Sequence, residues 1–103
     1  MADNDIIIMT PLRFEWDKEK ELKNQKKHGV DFSEALSVFY DDNALYLVDP
    51  LHSTNEERFI ILGLSTTRKL LVVVHCYRCE DEIVRIISAR KATKTEQKQY
   101  FRS

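Results

Sequence analysis

The spacing of hydrophobic residues changes along this chain, and each change marks a different kind of element. Arg13 to Trp16 alternates polar and apolar side chains, which is typical of a short edge strand. The run KEKELKNQKKH that follows Asp17 contains strong helix formers, no β-branched residue and one apolar residue, Leu22. A helix with so many polar residues cannot be buried, and only one narrow side of it is expected to pack against the rest of the domain.

The ends of two N-terminal helices are marked by capping residues. Asp17 can accept hydrogen bonds at the start of the first helix, and Gly29 stands where a left-handed stop belongs. Asp31 with Glu34 has the spacing of a capping box for a second helix. That helix is amphipathic and is expected to pack on the core, because its apolar residues recur at helical spacing: Phe32, Ala35, Leu36, Val38 and Phe39.

After Asn43 the hydrophobic period becomes two, which predicts strands over 44–48, 58–65, 69–77 and 82–89. Asp49 to Glu57 is expected to be a polar loop, and the turns between the last three strands are short enough to favour antiparallel pairing. Thr93 and Glu96 then cap a final helix that runs to about Phe101. The predicted fold class is α+β, with two N-terminal helices, an antiparallel sheet of about four strands and one C-terminal helix.

Length and charge narrow the class of protein. The 103 residues allow one domain, expected over 12–103, preceded by a flexible extension over 1–11. The extension lacks the features of a secretory signal, and the longest apolar run, LLVVV, is too short for a membrane helix, so a cytoplasmic protein is expected. The net charge of −1 does not favour nucleic-acid binding, but basic residues gather in 18–28 and 85–102.

Three positions could handle phosphate or protons. Arg85 lies between Ile83 and Ile87 in an apolar strand, so it is either a structural ion pair or, with Arg90 and Lys91, a phosphate clamp. His75 on the central strand is either a hydrogen-bonded structural residue or an acid–base group. Arg58 opens a strand, and its structural alternative is a surface ion pair that contributes little to stability. If these strands are neighbours, the three side chains could share a face.

Two further features admit a structural reading. Lys20, Asn24 and then Lys27 or His28 line one edge of the first helix, while Lys27 and His28 also suit the negative end of a helix dipole. Cys76 and Cys79 form a single CxxC at a strand end, without the further ligands that zinc needs. A metal or redox role for this pair is therefore disfavoured, and no cofactor is expected.

In this order the blocks FEWD, KHGVDF, ERF and RIISARKA resemble the BrnT family of bacterial toxins, and the resemblance runs from Phe14 to Tyr100. It implies a RelE-like α+β fold and an endoribonuclease that cuts RNA without a metal and inhibits translation. It also implies a cognate BrnA-like antitoxin with a ribbon-helix-helix domain, bound in a hetero-oligomer that contacts DNA only through the antitoxin. Met9, shortly before Phe14, is a hypothetical natural start that the intact mass of the native protein would test.

The chemistry of RNA cleavage then suggests candidate roles for the basic and polar residues described above. The expected catalytic residues are Arg85 and Arg90 as stabilisers of phosphate charge, Arg58 as their helper, and His75 or Lys27 as the proton carrier. The expected RNA-binding residues are Lys20, Asn24, His28, Lys91 and Lys94. Two other functions remain open: a catalytically weak relative that binds only a partner or antitoxin, and a structural RNA-binding module.

Overall fold

The computed structural model describes residues 13–48 and 57–102. These residues form strands β1 (Arg13–Glu15), β2 (Leu45–Val48), β3 (Phe59–Leu64), β4 (Leu70–Arg78) and β5 (Ile83–Lys91), and helices α1 (Lys18–His28), α2 (Phe32–Ser37) and α3 (Lys94–Arg102). A short 3-10 helix (Val38–Tyr40) extends α2. The predicted extension over 1–11 and all but the last residue of the predicted loop at 49–57 lie outside the described residues.

The five described strands form one sheet in the order β1-β5-β4-β3-β2. Strands β2 to β5 pair as an antiparallel meander, which confirms the predicted arrangement. The predicted edge strand joins the sheet as well, pairing parallel to β5 so that Glu15 stands beside Arg85. The sheet is therefore mixed and has one strand more than expected, because local patterning carries no signal for a contact so distant along the chain.

The helix ends follow the predicted capping chemistry. The Asp17 side chain accepts from the backbone N–H groups of Glu19 and Lys20, and Gly29 ends α1 with a φ of 71°. In α3 the capping box is reciprocal: the Thr93 hydroxyl accepts from the Glu96 N–H at 3.2 Å, and the Glu96 carboxylate accepts from the Thr93 N–H at 2.8 Å. These caps satisfy the first free amides of each helix.

The two faces of the sheet bury different amounts of apolar surface. The face packed against α1 and α2, here called the helix face, holds the main core: Val30, Phe32, Ala35, Val38, Phe39, Ile61, Leu71, Val73, Val84, Ile86 and Ala89. On the opposite face, Tyr100 of α3 packs over Leu62 and Val72 near one end of the sheet. This second face also carries Arg78, Arg85 and Arg90, and we call it the arginine face.

A β-bulge in β5 places Arg85 and Arg90 on the same face. They lie an odd number of positions apart, so a regular strand would point them to opposite faces. The ladder pairs Val74 with Ser88 but His75 with Ile86, which leaves Ile87 as an extra residue. After this correction Arg85 pairs with Cys76 and Arg90 pairs with Val72, and both residues belong to the arginine face.

The side chain of Asn24 takes the place of a strand along the part of β5 beyond β1. Its amide nitrogen donates to the Ala89 carbonyl at 2.9 Å, and its amide oxygen accepts from the Ala89 N–H at 3.1 Å. The same nitrogen also donates to the Val30 carbonyl at 3.0 Å. These bonds fix α1 against the sheet edge and satisfy backbone groups that burial would otherwise leave without partners.

Candidate active site

Two arginines on the arginine face share one carboxylate. The Glu15 Oε2 atom lies 2.8 Å from Nη1 of Arg85 and 3.4 Å from Nε of Arg78. The side chains of Glu15 and Arg78 are 36% and 53% exposed, so the cluster is open to solvent. One negative charge facing two positive charges leaves a surplus of positive charge, which suits a bound phosphate.

The fold brings this cluster together from three strands. Glu15 is the last residue of β1, Arg85 lies beside it on β5, and Arg78 ends β4. Arg58 directly precedes β3, and its side chain is half-buried. Because Phe59 pairs with His75, Arg58 lies beside the same end of β4 as Arg78. Arg58 and Arg85 therefore lie near the same end of the sheet, but Arg85 pairs with Cys76, so His75 points to the other face and the three side chains do not share one.

Arg90 occupies a different local environment on the same face. Its two terminal nitrogens donate to the two carboxylate oxygens of Glu96 at 2.8 and 2.9 Å. The hydrogen bonds from Arg90 lower the pKa of Glu96 to about 2, and the hydrogen bond to Glu96 raises the pKa of Arg90. The guanidinium fork that could hold a phosphate is thus occupied by a carboxylate that also caps α3.

His75 lies on the helix face, away from Arg85. Its side chain is fully buried, with its ring 4.7 Å from that of Phe39 in an edge-to-face arrangement. Burial lowers its pKa from 6.5 to about 4, so the imidazole is neutral at physiological pH. The expectation that His75 carries a proton to or from RNA is corrected by this position, which RNA cannot reach.

The polar edge of α1 also lies apart from Arg85. Asn24, expected to bind RNA, is buried, and its amide is used in the backbone hydrogen bonds described above. Glu15 lies beside Arg85, and Asn24 lies beside Ala89, which is nearer the other end of β5. Lys27 and His28 follow Asn24 in α1, so they lie farther from Arg85 than Asn24 does. Lys20 and Lys27 are exposed, and His28 is partly exposed. The KHG segment is a helix stop at the sheet edge, displaced from the Arg85 cluster.

The remaining basic candidates lie near Arg90. Lys91 ends β5 and Lys94 begins α3, and both side chains are exposed. Cys76 is buried and Cys79 is exposed, and neither forms a disulfide. Within 13–48 and 57–102, no cluster of three or more histidine, cysteine or acidic side chains could hold a metal ion. In the same ranges no helix has the length and hydrophobicity needed to cross a membrane.

Sequence reasoning missed two members of the cluster, Glu15 and Arg78. Glu15 is one of two acidic residues in the FEWD block, and its position shortly before a helix gives no sign of a partner far along the chain. Arg78 is the last residue of β4 but lies one residue beyond the strand predicted over 69–77. The one available signal was that Glu15 lies next to the end of the predicted strand 13–16 and Arg78 directly follows the predicted strand 69–77, where side chains from neighbouring strands meet.

Comparisons with known proteins agree with the fold. A model of the family described as "Ribonuclease toxin, BrnT, of type II toxin-antitoxin system" matches residues 16–96. The crystal structure of the Brucella abortus ribonuclease toxin, BrnT, matches with a TM-score of 0.60 and 23% sequence identity. The match covers 82% of this chain and 100% of that one, and it concerns the fold. The search of curated proteins gives no match.

Proposed function

Because the chain belongs to the BrnT family of ribonuclease toxins of type II toxin-antitoxin systems, we propose that it is an endoribonuclease that uses the Arg85 cluster without a metal. The observation that carries the proposal is the sharing of the Glu15 carboxylate by Arg85 and Arg78 on a solvent-exposed part of the sheet. This arrangement offers both a proton acceptor and a surplus of positive charge. Cleavage of messenger RNA would then inhibit translation.

In the proposed reaction the RNA supplies its own nucleophile. The 2′-oxygen attacks the adjacent phosphorus as the P–O5′ bond breaks, giving a 2′,3′-cyclic phosphate and a free 5′-hydroxyl. The 2′-hydroxyl proton passes to a base on the protein, and the leaving 5′-oxygen takes a proton from solvent. The negative charge that develops on the phosphoryl oxygens is the feature that the protein must stabilise.

Arg85 and Arg78 are the proposed stabilisers of that charge, with Arg58 beside them. A guanidinium group donates to two phosphate oxygens at once, and Arg85 is held in place by Glu15 at 2.8 Å. Arg90 contributes little to phosphate binding in this arrangement, because its donors and its charge are already paired with the Glu96 carboxylate. Exposed Lys94 extends the basic surface along which the RNA strand lies, whereas Lys91 pairs with Leu71 and belongs to the helix face.

Glu15 is the proposed proton acceptor in place of His75. Its carboxylate contacts the guanidinium groups that would bind the phosphate, so it lies within reach of the neighbouring ribose. Lys27 is the second candidate among the predicted residues, and its position beyond Ala89 makes it the weaker one.

The family also predicts a partner. A type II system pairs its toxin with a protein antitoxin, and we propose a BrnA-like ribbon-helix-helix protein that contacts DNA while this chain contacts only the antitoxin. The complex is expected to form in the cytoplasm, where the RNA substrate is found. Growth arrest on expression, relieved by the product of the adjacent gene, tests this pairing.

The enzymatic proposal is tested by cleavage of single-stranded RNA in the presence of EDTA. Cleavage is expected to continue, to yield 2′,3′-cyclic phosphate ends, and to fail at a nucleotide with a 2′-deoxyribose. Arg85→Gln and Glu15→Gln are each expected to lower the rate about 100-fold, the usual cost of removing one group that acts on the transition state.

The matched control is Arg102→Gln, since Arg102 is exposed at the far end of α3. Its rate is expected to stay within about twofold of the original, as for an isolated surface charge. Wild-type rates in Arg85→Gln would refute the proposed site. If the antitoxin relieves growth arrest but the protein cleaves no RNA, the alternative function is favoured, in which the chain is a catalytically weak relative that only binds a partner.

A further inference from the structure

A cavity of about 700 Å³ lies where β3 begins and β4 ends. The residues that line it include the aromatic residues Phe59 and Tyr77, the basic residue Arg78, and the acidic residues Glu57 and Asp81. The volume falls in the range of sites that bind small organic groups. Arg78 connects the cavity to the cluster on the arginine face, because it also lies 3.4 Å from Glu15.

Tyr77 forms an exposed aromatic wall with firm support. Its ring centroid lies 5.4 Å from that of Phe59 and 5.3 Å from that of His75, and 36% of the residue is exposed. Aromatic side chains that are held in place on one side and open on the other are the surfaces on which unpaired bases stack.

The Tyr77 hydroxyl is held by a hydrogen bond to the buried His75. The ring of His75 has Nδ1 at 3.3 Å from the Val73 carbonyl, which can only accept a hydrogen bond. Neutral His75 therefore carries its proton on Nδ1 and accepts at Nε2, where the Tyr77 hydroxyl lies at 3.3 Å. The Tyr77 hydroxyl donates inward to His75, and the ring is held by this bond as well as by packing.

The charges around the cavity favour a base over a phosphate. Glu57 and Asp81 repel a phosphate, while carboxylates accept hydrogen bonds from the amino groups on base edges. Asp81 belongs to a turn in which Cys79, Glu80 and Asp81 all have positive φ, at 55°, 56° and 70°. Such backbone costs free energy in residues other than glycine and is found more often at functional sites.

We propose that this cavity binds one unpaired base of the RNA, stacked on Tyr77 and hydrogen-bonded through an amino group to Asp81 or Glu57. The proposal rests on the proposed ribonuclease function and adds a source of sequence preference. Phosphates lie along the arginines of the arginine face, and the base turns around the end of β4 into the cavity. Bases with an exocyclic amino group bind better than uracil, which presents a carbonyl oxygen at that position.

The test measures the affinity of the full chain for short 2′-O-methyl oligonucleotides of cytidine or of uridine, which cannot be cleaved. The two bases stack alike but differ at the amino group, so the cytidine oligonucleotide is expected to bind about 10-fold tighter. Tyr77→Leu is expected to weaken its binding about 10-fold, which is typical of the loss of one stacking ring. Asp81→Asn together with Glu57→Gln is expected to abolish the preference for cytidine.

Matched controls separate these effects from general damage. Tyr40→Leu removes another exposed tyrosine, and Glu80→Gln changes the same turn outside the cavity lining. Neither is expected to change affinity by more than about twofold. Asparagine tolerates positive φ well, so Asp81→Asn remains informative even if Tyr77→Leu fails to fold.

Equal affinities for the two oligonucleotides, or a Tyr77→Leu variant that matches Tyr40→Leu, would overturn the base-binding proposal. Loss of antitoxin binding in Tyr77→Leu with RNA affinity unchanged would assign the cavity to the protein partner and would also overturn it. Because these oligonucleotides are not cleaved, the result is independent of the proposed chemistry. Cleavage that depends on Arg85 but not on Tyr77 would leave the ribonuclease proposal intact.

Discussion

The two faces of the sheet put similar side chains to different uses. On the helix face, His75 and Asn24 are buried, and each is hydrogen-bonded within the protein. On the arginine face, Arg78 and Arg85 remain partly exposed around a single carboxylate. A residue type that suits chemistry can therefore serve stability on one face, and only the register of the strands tells the two uses apart.

The comparison also shows how buried residues can support exposed ones. His75 does not reach RNA, but its bond to the Tyr77 hydroxyl supports a ring at the rim of the sheet. Asn24 holds α1 along β5, the strand that carries Arg85 and Arg90. Changes at these buried residues should therefore lower stability, and changes on the arginine face or at the exposed ring of Tyr77 should alter contact with RNA.

The largest stability effect is expected for Asn24→Leu on the helix face. The substitution leaves the Ala89 N–H, the Ala89 carbonyl and the Val30 carbonyl without their partner. Each buried group left unpaired costs about 1–3 kcal/mol, so the free energy of unfolding should fall by about 4 kcal/mol in urea denaturation. Gln25→Leu is the control on the exposed side of the same helix. Equal losses in both variants would contradict the role given to Asn24.

The next effect is the pH dependence caused by His75. Because its folded-state pKa of about 4 lies below the ordinary 6.5, its contribution is complete above pH 6.5 and is lost as pH falls towards 4. Up to about 3 kcal/mol of unfolding free energy should disappear over this window. The His75→Phe variant should lack that slope, whereas His28→Gln should keep it. A slope that survives in His75→Phe would mean that another group titrates there.

The smallest effect is expected for Glu96→Gln on the arginine face, where stability and RNA binding should change in opposite directions. Losing the carboxylate that pairs with Arg90 and caps α3 should cost about 1 kcal/mol. The freed guanidinium should tighten binding of an uncleavable RNA a few-fold, with a steeper dependence on salt. Lys98→Gln is a control for charge on the same helix. Weaker binding by Glu96→Gln would show that Arg90 does not contact RNA.

Much of the fold could be predicted because its signals are local. The stop at Gly29, the cap at Asp17 and the capping box at Thr93 each depend on residues within one helical turn. The meander followed from the period-two pattern and short turns. The parallel pairing of β1 with β5 was not predicted, because it joins residues distant along the chain.

The candidate site was predicted less well, for two physical reasons. The face of His75 could not be related to that of Arg85 without the pairing register, and the bulge at Ile87 shifts that register within β5. Glu15 and Glu96 were the partners that decided what Arg85 and Arg90 could do. Sequence spacing identified the arginines as unusual, but it carried no signal for which carboxylate each would meet.

The bulge at Ile87 has a genetic consequence. Deleting this one codon would make Ser88 follow Ile86 directly, so the regular strand would still pair Val74 with Ser88 and His75 with Ile86. Arg85 and Arg90 would stay on the arginine face, and Ile86 and Ala89 would stay in the core. Natural variants that shorten β5 by one residue should therefore do so at the bulge, where the deletion turns no part of the strand over.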